Sequence, residues 1–531
     1  MPHRSRYIPH TAPRSSHLNL QATRRVIVDV LEANIKRVLQ HPSSRSGVFI
    51  GSAGTVMMEW RLPSQFSKAD STSDLYTNTL SRSPSGSHSS FLETSIGLAT
   101  LILSHQLRLG HKDHASSSSN LGGTSDGSNT HDPASEQPER TRRISSKDWS
   151  TCAHLIKHAL RVALEEALDD DGCEVLYGRA GLLYSLLFLR SELVLASEAG
   201  SKEREDPVVK VIEPLCSDEN IRALVNDLVT RGQFGAEVYK EALKGEERDR
   251  APPLMWRWHG KRYLGAAHGV VGILQMILFA PRDSIAPHWE LILQTVRWLI
   301  SIQYASGNWP SKAGIGMFDG EEEDEKDQLI QWCHGAPGFV ILFSTLLRRF
   351  TNSDPTRDNT LSIPPDLQTE LCTSLTRGAE VVYNKGLLRK GVGLCHGIGG
   401  SVYALLSASD ALHHFPQPTQ QLISLPLSST QVDIWLFRAI HLAQLATAYE
   451  DLTRRGEMLS PDYPHTLYGG VAGMCCAWAE VVRRVDWVLS RGNGNGNGNG
   501  NGNNHSQGGN GNGDLGVGHG IPGYDDLKIL D

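Results

Sequence analysis

Two short stretches combine residue types that metal ions and nucleophiles use. Gln331-Trp332-Cys333-His334-Gly335-Ala336-Pro337-Gly338 and Gly393-Leu394-Cys395-His396-Gly397-Ile398-Gly399-Gly400 each set a Cys-His pair in a glycine-rich turn ahead of an apolar run. Thiolate and imidazole are ligands that Zn2+ prefers, and three protein ligands with one open position make the catalytic arrangement. Cys333, Cys395 and His396 are the leading trio. The adjacent Cys395 and His396 reach one ion only where the backbone bends, which Gly393 and Gly397 permit. Spacing alone leaves two other readings open. Each Cys is a small buried apolar residue, or Cys333, His334, Cys395 and His396 together close a structural zinc site. His268, in Ala266-Ala267-His268-Gly269, holds the same place before a first glycine as His334 and His396, with no Cys beside it. A general acid or base is useful there. His259, in Trp256-Arg257-Trp258-His259-Gly260, has no such support and reads as structural.

The elements that must position these residues repeat. Gly-x-x-Gly followed by apolar residues occurs at 51–54, 178–181, 269–272, 335–338, 397–400 and 470–473, with separations of 127, 91, 66, 62 and 73 residues. The shorter separations suit a pair of helices with their loops. The longest holds two units, with Ser95-Ile96-Gly97-Leu98 as a degenerate copy. After each turn the apolar residues follow the helical period, as in Val270, Ile273, Leu274, Ile277 and Leu278. Several runs are apolar almost all round, the pattern of inner, fully buried helices. A further helix is expected over 21–40, where Ile27, Val30, Leu31, Ile35 and Val38 share one side. Strand signals are sparse, so the expectation is an all-α array closed around a centre, since an open stack would need polar end caps.

Composition sets the outer limits. About 46% of the 531 residues are apolar once glycine is counted and tyrosine left out, within the usual globular range. The net charge of −7 comes with no long basic tract, which disfavours nucleic acid or an anionic membrane surface as partner. The start, Met1-Pro2-His3-Arg4-Ser5-Arg6, lacks the apolar core of a signal peptide, and no uninterrupted apolar run approaches the roughly 18 residues of a spanning helix. A cytoplasmic protein with reduced thiols is expected. Residues 1–20 read as an N-terminal extension and 21–490 as the folded unit. A disordered insertion is expected at about 112–147 and a flexible Gly/Asn-rich tail over 491–531. The acidic run at 321–327 reads as a solvated loop.

Together, Trp332-Cys333-His334-Gly335-Ala336-Pro337-Gly338, Gly393-Leu394-Cys395-His396-Gly397 and Gly265-Ala266-Ala267-His268-Gly269 resemble the lanthionine synthetase C-like family in its eukaryotic branch. The glycine repeats extend the resemblance from about Gly51 to Glu480. It implies an α/α toroid of about seven helical hairpins with a central zinc held by Cys333, Cys395 and His396. Bacterial members of that family add a peptide cysteine thiol to dehydroalanine or dehydrobutyrine, and eukaryotic relatives bind glutathione and add its thiol to such residues in proteins. His268 matches the family's acid, and His334 stands where bacterial members often carry Tyr. Lys390 matches a glutathione-contacting lysine, and Arg6 a terminal arginine used in the same way. Glu174 departs from the family, standing where the bacterial pattern has Asp. The expected function is zinc-dependent thioether formation with glutathione as co-substrate and a dehydroamino-acid peptide or protein as partner. The alternatives are a non-catalytic glutathione- and zinc-binding adaptor, and a glycoside-processing toroid, which would need a second carboxylate opposite Glu174.

Overall fold

A computed structural model describes residues 5–13, 19–66, 75, 84–118, 146–198, 206–315, 329–351, 361–413, 415, 423–424, 431–492 and 520–528. In chain order the main helices are α1 (Leu20–Gln40), α2 (Ser52–Arg61), α3 (Ser95–Ser118), α4 (Ser146–Glu165), α5 (Arg179–Glu198), α6 (Asp218–Ala242) and α7 (Val270–Leu278). They continue with α8 (Trp289–Ser301), α9 (Ala336–Phe350), α10 (Pro365–Lys385), α11 (Ile398–Leu412), α12 (Ile434–Ala446) and α13 (Val471–Gly492). The described strands are two-residue pairs, such as Arg262–Tyr263 against Lys312–Ala313.

The helices that follow the glycine turns form a ring. α2 packs on α3, α3 on α5, α5 on α7, α7 on α9, α9 on α11 and α11 on α13, and α13 returns to α2. The remaining helices lie outside: α4 against α3 and α5, α6 against α5, α10 against α9 and α11, and α12 against α11 and α13. The fold is therefore an α/α toroid. Its two layers follow from side-chain pattern. α7 is apolar but for Gln275, whose amide donates to Thr345, and all nine of its residues are buried. The outer α1 buries one stripe containing Leu20, Ile27, Leu31, Ile35 and Val38, and Asn19 caps its start by accepting from the Ala22 amide.

The repeat has one physical cause in every copy. At Gly54, Gly97, Gly181, Gly272, Gly338, Gly400 and Gly473, an added Cβ would lie 1.8–2.8 Å from the carbonyl oxygen six residues earlier. Only a hydrogen at that position lets the first helical turn rest on its own incoming chain. Gly97 behaves as the other six do, so Ser95–Leu98 is the degenerate seventh copy.

Several boundaries differ from the sequence-based expectation. α3 runs to Ser118 and α4 begins at Ser146, so both ends of the expected insertion are helical, and 119–145 lies outside the described residues, as does the acidic run at 321–327. Within the extension, Tyr7 pairs with Leu388 and the Ile8 amide donates to the Leu387 carbonyl, which ties the segment to the ring. The tail expectation over 491–531 needs correction. α13 continues to Gly492, and Ile521, Tyr524 and Leu527 are buried. Three apolar residues are too few to register in composition, yet they suffice where a complementary cavity waits for them. The stretch Arg179–Ser197 is long and apolar enough by composition to cross a membrane, and here it is part of the ring helix α5, with 72% of that window buried.

Candidate metal centre and its surroundings

Backbone hydrogen bonds between equivalent positions join five of the seven turns in one string and the other two in a second. The Tyr468 amide donates to Phe49 O (3.1 Å), Phe49 to Leu92 O (3.0 Å), Leu176 to Ala267 O (3.2 Å), Cys333 to Cys395 O (3.1 Å) and Cys395 to Tyr468 O (3.1 Å). Each of these residues lies five before the second glycine of its turn. The girdle fixes the height of the next residue in every copy, and that residue is Glu93, Tyr177, His268, His334 or His396 in five of them. All five are half-buried.

Cys333 and Cys395 are buried, with His396 beside them, and the three ligand atoms lie within 4.8 Å of one another. Ligand atoms around a tetrahedral zinc lie roughly 3.3–3.8 Å apart, so small side-chain shifts close the set. The Cys395 thiol and the neighbouring His396 hold the Cys333 thiol well below its ordinary range, whereas the adjacent thiolate pushes Cys395 up. A dication removes that conflict by favouring both thiolates. Elsewhere burial pushes Cys173, Cys216 and Cys476 up to about 12, so those thiols stay protonated. The donor set therefore fits zinc.

His334 sits on the same turn as Cys333. That turn is shaped by Gly335, whose φ of 101° favours glycine, and by Asn308, whose Oδ1 accepts from the Ala336 amide at 2.9 Å. The trio that can share an ion does not include His334.

Glu174 is 1% exposed and accepts three hydrogen bonds, from the Leu176 amide (2.7 Å), the Tyr177 amide (2.6 Å) and His268 Nδ1 (2.9 Å). A carboxylate only accepts, so Nδ1 carries the hydrogen and Nε2 is left for chemistry. The His268 ring lies parallel to those of Tyr177 (6.2 Å) and Trp258 (6.1 Å) and is 6.3 Å from the His334 ring. Trp258 stands in a tight hairpin in which His259 (φ 47°) and Gly260 (φ 71°) are left-handed. His259 itself is exposed, as a structural turn residue would be.

Three members of this surface, Tyr177, Trp258 and Glu93, were missed in the sequence. Trp258 lies outside the repeat and gives no local signal. Glu93 had one: aligned on Gly97, it occupies the position of His268, His334 and His396. Burial, reinforced by the charge of Glu174, raises the Glu93 carboxyl to about 7 against the opposing pull of Arg45.

Lys390 is exposed, close enough to favour the thiolate of Cys395. Arg6 is also exposed, and its carbonyl accepts from the Arg389 amide at 3.0 Å, which sets the N-terminal segment beside the Lys390 loop.

The chain is 27% identical over 314 residues to a Danio rerio protein named Glutathione S-transferase LANCL1, covering 58% of this chain and 59% of that one. It is 26% identical over 314 residues to an Arabidopsis thaliana protein named LanC-like protein GCL1, covering 59% and 56%. The matched region thus spans less than two thirds of the curated relatives' length. Among solved structures it matches Nisin cyclase with a TM-score of 0.42 at 13% identity, covering 89% of this chain and 96% of that one. The profile described as lanthionine synthetase C-like protein matches residues 143–488, nearly two thirds of the sequence and every one of the three Cys/His turns, and the chain belongs to that family.

Proposed function

We propose that the protein adds a thiol, with glutathione as donor, to dehydroalanine or dehydrobutyrine residues of a peptide or protein. The observation that carries this reading is the His268–Glu174 pair on the same ring of turns as the Cys333, Cys395 and His396 donors. The name of the zebrafish relative supports glutathione as the donor. A zinc ion held by Cys333, Cys395 and His396 would supply the positive charge that favours thiolate over thiol near neutral pH.

The chain's own residues do the rest. The sulfur forms a bond to the β-carbon, and the π pair of the C=C bond moves toward the carbonyl as an enolate. A proton then goes to the α-carbon, so the net change is S–H added across the double bond. His268 Nε2 takes up the proton that the thiol releases and then gives it to the α-carbon, while Glu174 accepts from Nδ1–H throughout and holds the ring. His334 and the parallel rings of Tyr177 and Trp258 orient the acceptor and narrow the access of water. Lys390 and Arg6 complement the two carboxylates of the tripeptide. The eight buried free cysteines suit a reducing cytoplasmic setting.

The test incubates the protein with glutathione and a dehydroalanine peptide and follows the adduct by mass spectrometry. Wild type gives the adduct, and His268→Ala loses it while keeping its zinc. Retained zinc with no adduct from wild type refutes catalysis and leaves an adaptor. Full zinc content and full activity in Cys395→Ala would dispose of the metal site.

A further inference from the structure

The C-terminal segment 520–528 lies beyond the family match and is used by nothing in the proposed chemistry. It nevertheless runs into the bore of the ring. Asp525 to Lys528 line a cavity of about 260 Å³ with Arg61, Arg108, Glu192 and Arg348, which belong to the C-terminal ends of α2, α5 and α9 and the middle of α3. Further in, Gly523 (φ 87°) leaves room for Leu92, whose side chain would be 2.8 Å from an added Cβ. Tyr524 meets the Trp332 ring edge-to-face at 5.0 Å. Trp332 precedes Cys333. The segment thus spans from the far mouth of the toroid to the underside of the metal-bearing turn.

Its contacts are those of a bound ligand. Asp526 is paired with the Arg61 guanidinium and accepts from Tyr184 Oη at 2.7 Å, its side chain fully buried. Tyr468 Oη donates to the Pro522 carbonyl at 2.9 Å. The segment folds on itself, with the Tyr524 and Asp525 amides donating to the Ile521 carbonyl and the Gly523 amide to Asp526 Oδ1. Tyr524 is 0% exposed and its hydroxyl has no partner among the described residues, so the ring's shape is what the site reads.

We propose that the bore below the metal centre is a binding site for an acidic, aromatic peptide, filled by the chain's own Gly520–Lys528, and that the docked segment positions the Cys333 turn through Tyr524 and Trp332. Arg61 and Tyr184 select the acid, Tyr468 the peptide backbone, and the Trp332 face the aromatic ring. Because the site takes a segment joined to the ring through residues 493–519, the tail works as a tethered ligand whose binding is coupled to metal retention.

A protease site placed in the Gly-Asn tract of the full chain, cut after folding, tests this. The cut tail should stay with the body through size-exclusion chromatography, and the amides of 521–527 should remain protected from hydrogen exchange. Tyr524→Ala should weaken retention by roughly a hundredfold, whereas Tyr524→Phe, which only removes an unpartnered hydroxyl, should retain the tail. Loss of the tail should speed removal of zinc by a chelator about tenfold or more. A cut tail that elutes separately overturns the docking, and a Tyr524→Ala protein that releases its tail yet holds zinc as firmly as wild type overturns the coupling. Retention is read without metal, so a protein that binds no zinc would defeat the catalytic reading and leave this one to stand or fall on elution.

Discussion

Replacing Glu174 by alanine should destabilise the protein by about 2–4 kcal/mol and remove the group that orients His268 in the proposed acid role. The carboxylate is 1% exposed and accepts from two backbone amides and one imidazole at 2.6–2.9 Å. Hydrogen bonds to a charged group are worth about 1.5–3 kcal/mol each, so the three together give a gross loss of about 4.5–9 kcal/mol. Relief of the cost of burying a carboxylate returns several kcal/mol of that, which leaves the net figure. Glu174→Gln keeps the shape, but its amide NH2 must face an N–H donor, so about 2 kcal/mol of the loss should remain. Glu174→Asp is shorter by one methylene and cannot span both the turn amides and His268. Urea unfolding of the metal-loaded variants measures the first effect. Adduct formation measures the second, where at most the ~10²–10⁴-fold that a positioned general acid supplies can disappear. If Glu174→Ala unfolds within about 0.5 kcal/mol of wild type and forms adduct at the wild-type rate, the dyad holds neither the turn nor the reaction, and the argument from its geometry fails.

Other outcomes follow from the same structure. Stripping zinc should lower the melting temperature, since a ligand present at a thousand times its Kd stabilises by about 4 kcal/mol, and an unchanged melting curve after chelation would count against the site. Burial raises the Asp525 carboxyl to about 7. The folded state therefore keeps a proton that the unfolded chain releases near pH 4, so wild type loses stability as pH climbs from about 4 to about 7, by up to about 4 kcal/mol. Asp525→Asn should escape that loss and be more stable than wild type at pH 8, with no difference below pH 4. Equal pH profiles by thermal melting would refute the burial argument. Gly272→Ala puts a Cβ 1.9 Å from the Ala266 carbonyl and should cost about 2–4 kcal/mol, while Gly314→Ala, with open space around it, should be neutral by the same assay.

Sequence alone determined what is local. Helical period and the glycines of the turns depend on residues a few positions apart, so the inner helices, α1 and the degenerate copy at Gly97 were legible, and with them the all-α class. The Cys-His pairs stood out because their neighbours announced the turn that presents them. What tertiary structure decided is everything that needs ring closure. The return of α13 to α2 brings the turns to one height, which converts Glu93's place in the repeat, readable from Gly97, into spatial company with three histidines. Arg6 comes beside the Lys390 loop because the N-terminal segment pairs with residues hundreds of positions away. Trp258 joins the His268 wall through a hairpin, without a repeat to mark it. The last case is the plainest: Ile521, Tyr524 and Leu527 are a faint apolar signal at the end of a Gly/Asn-rich stretch, and burial is a property of the cavity that receives them as much as of the residues themselves.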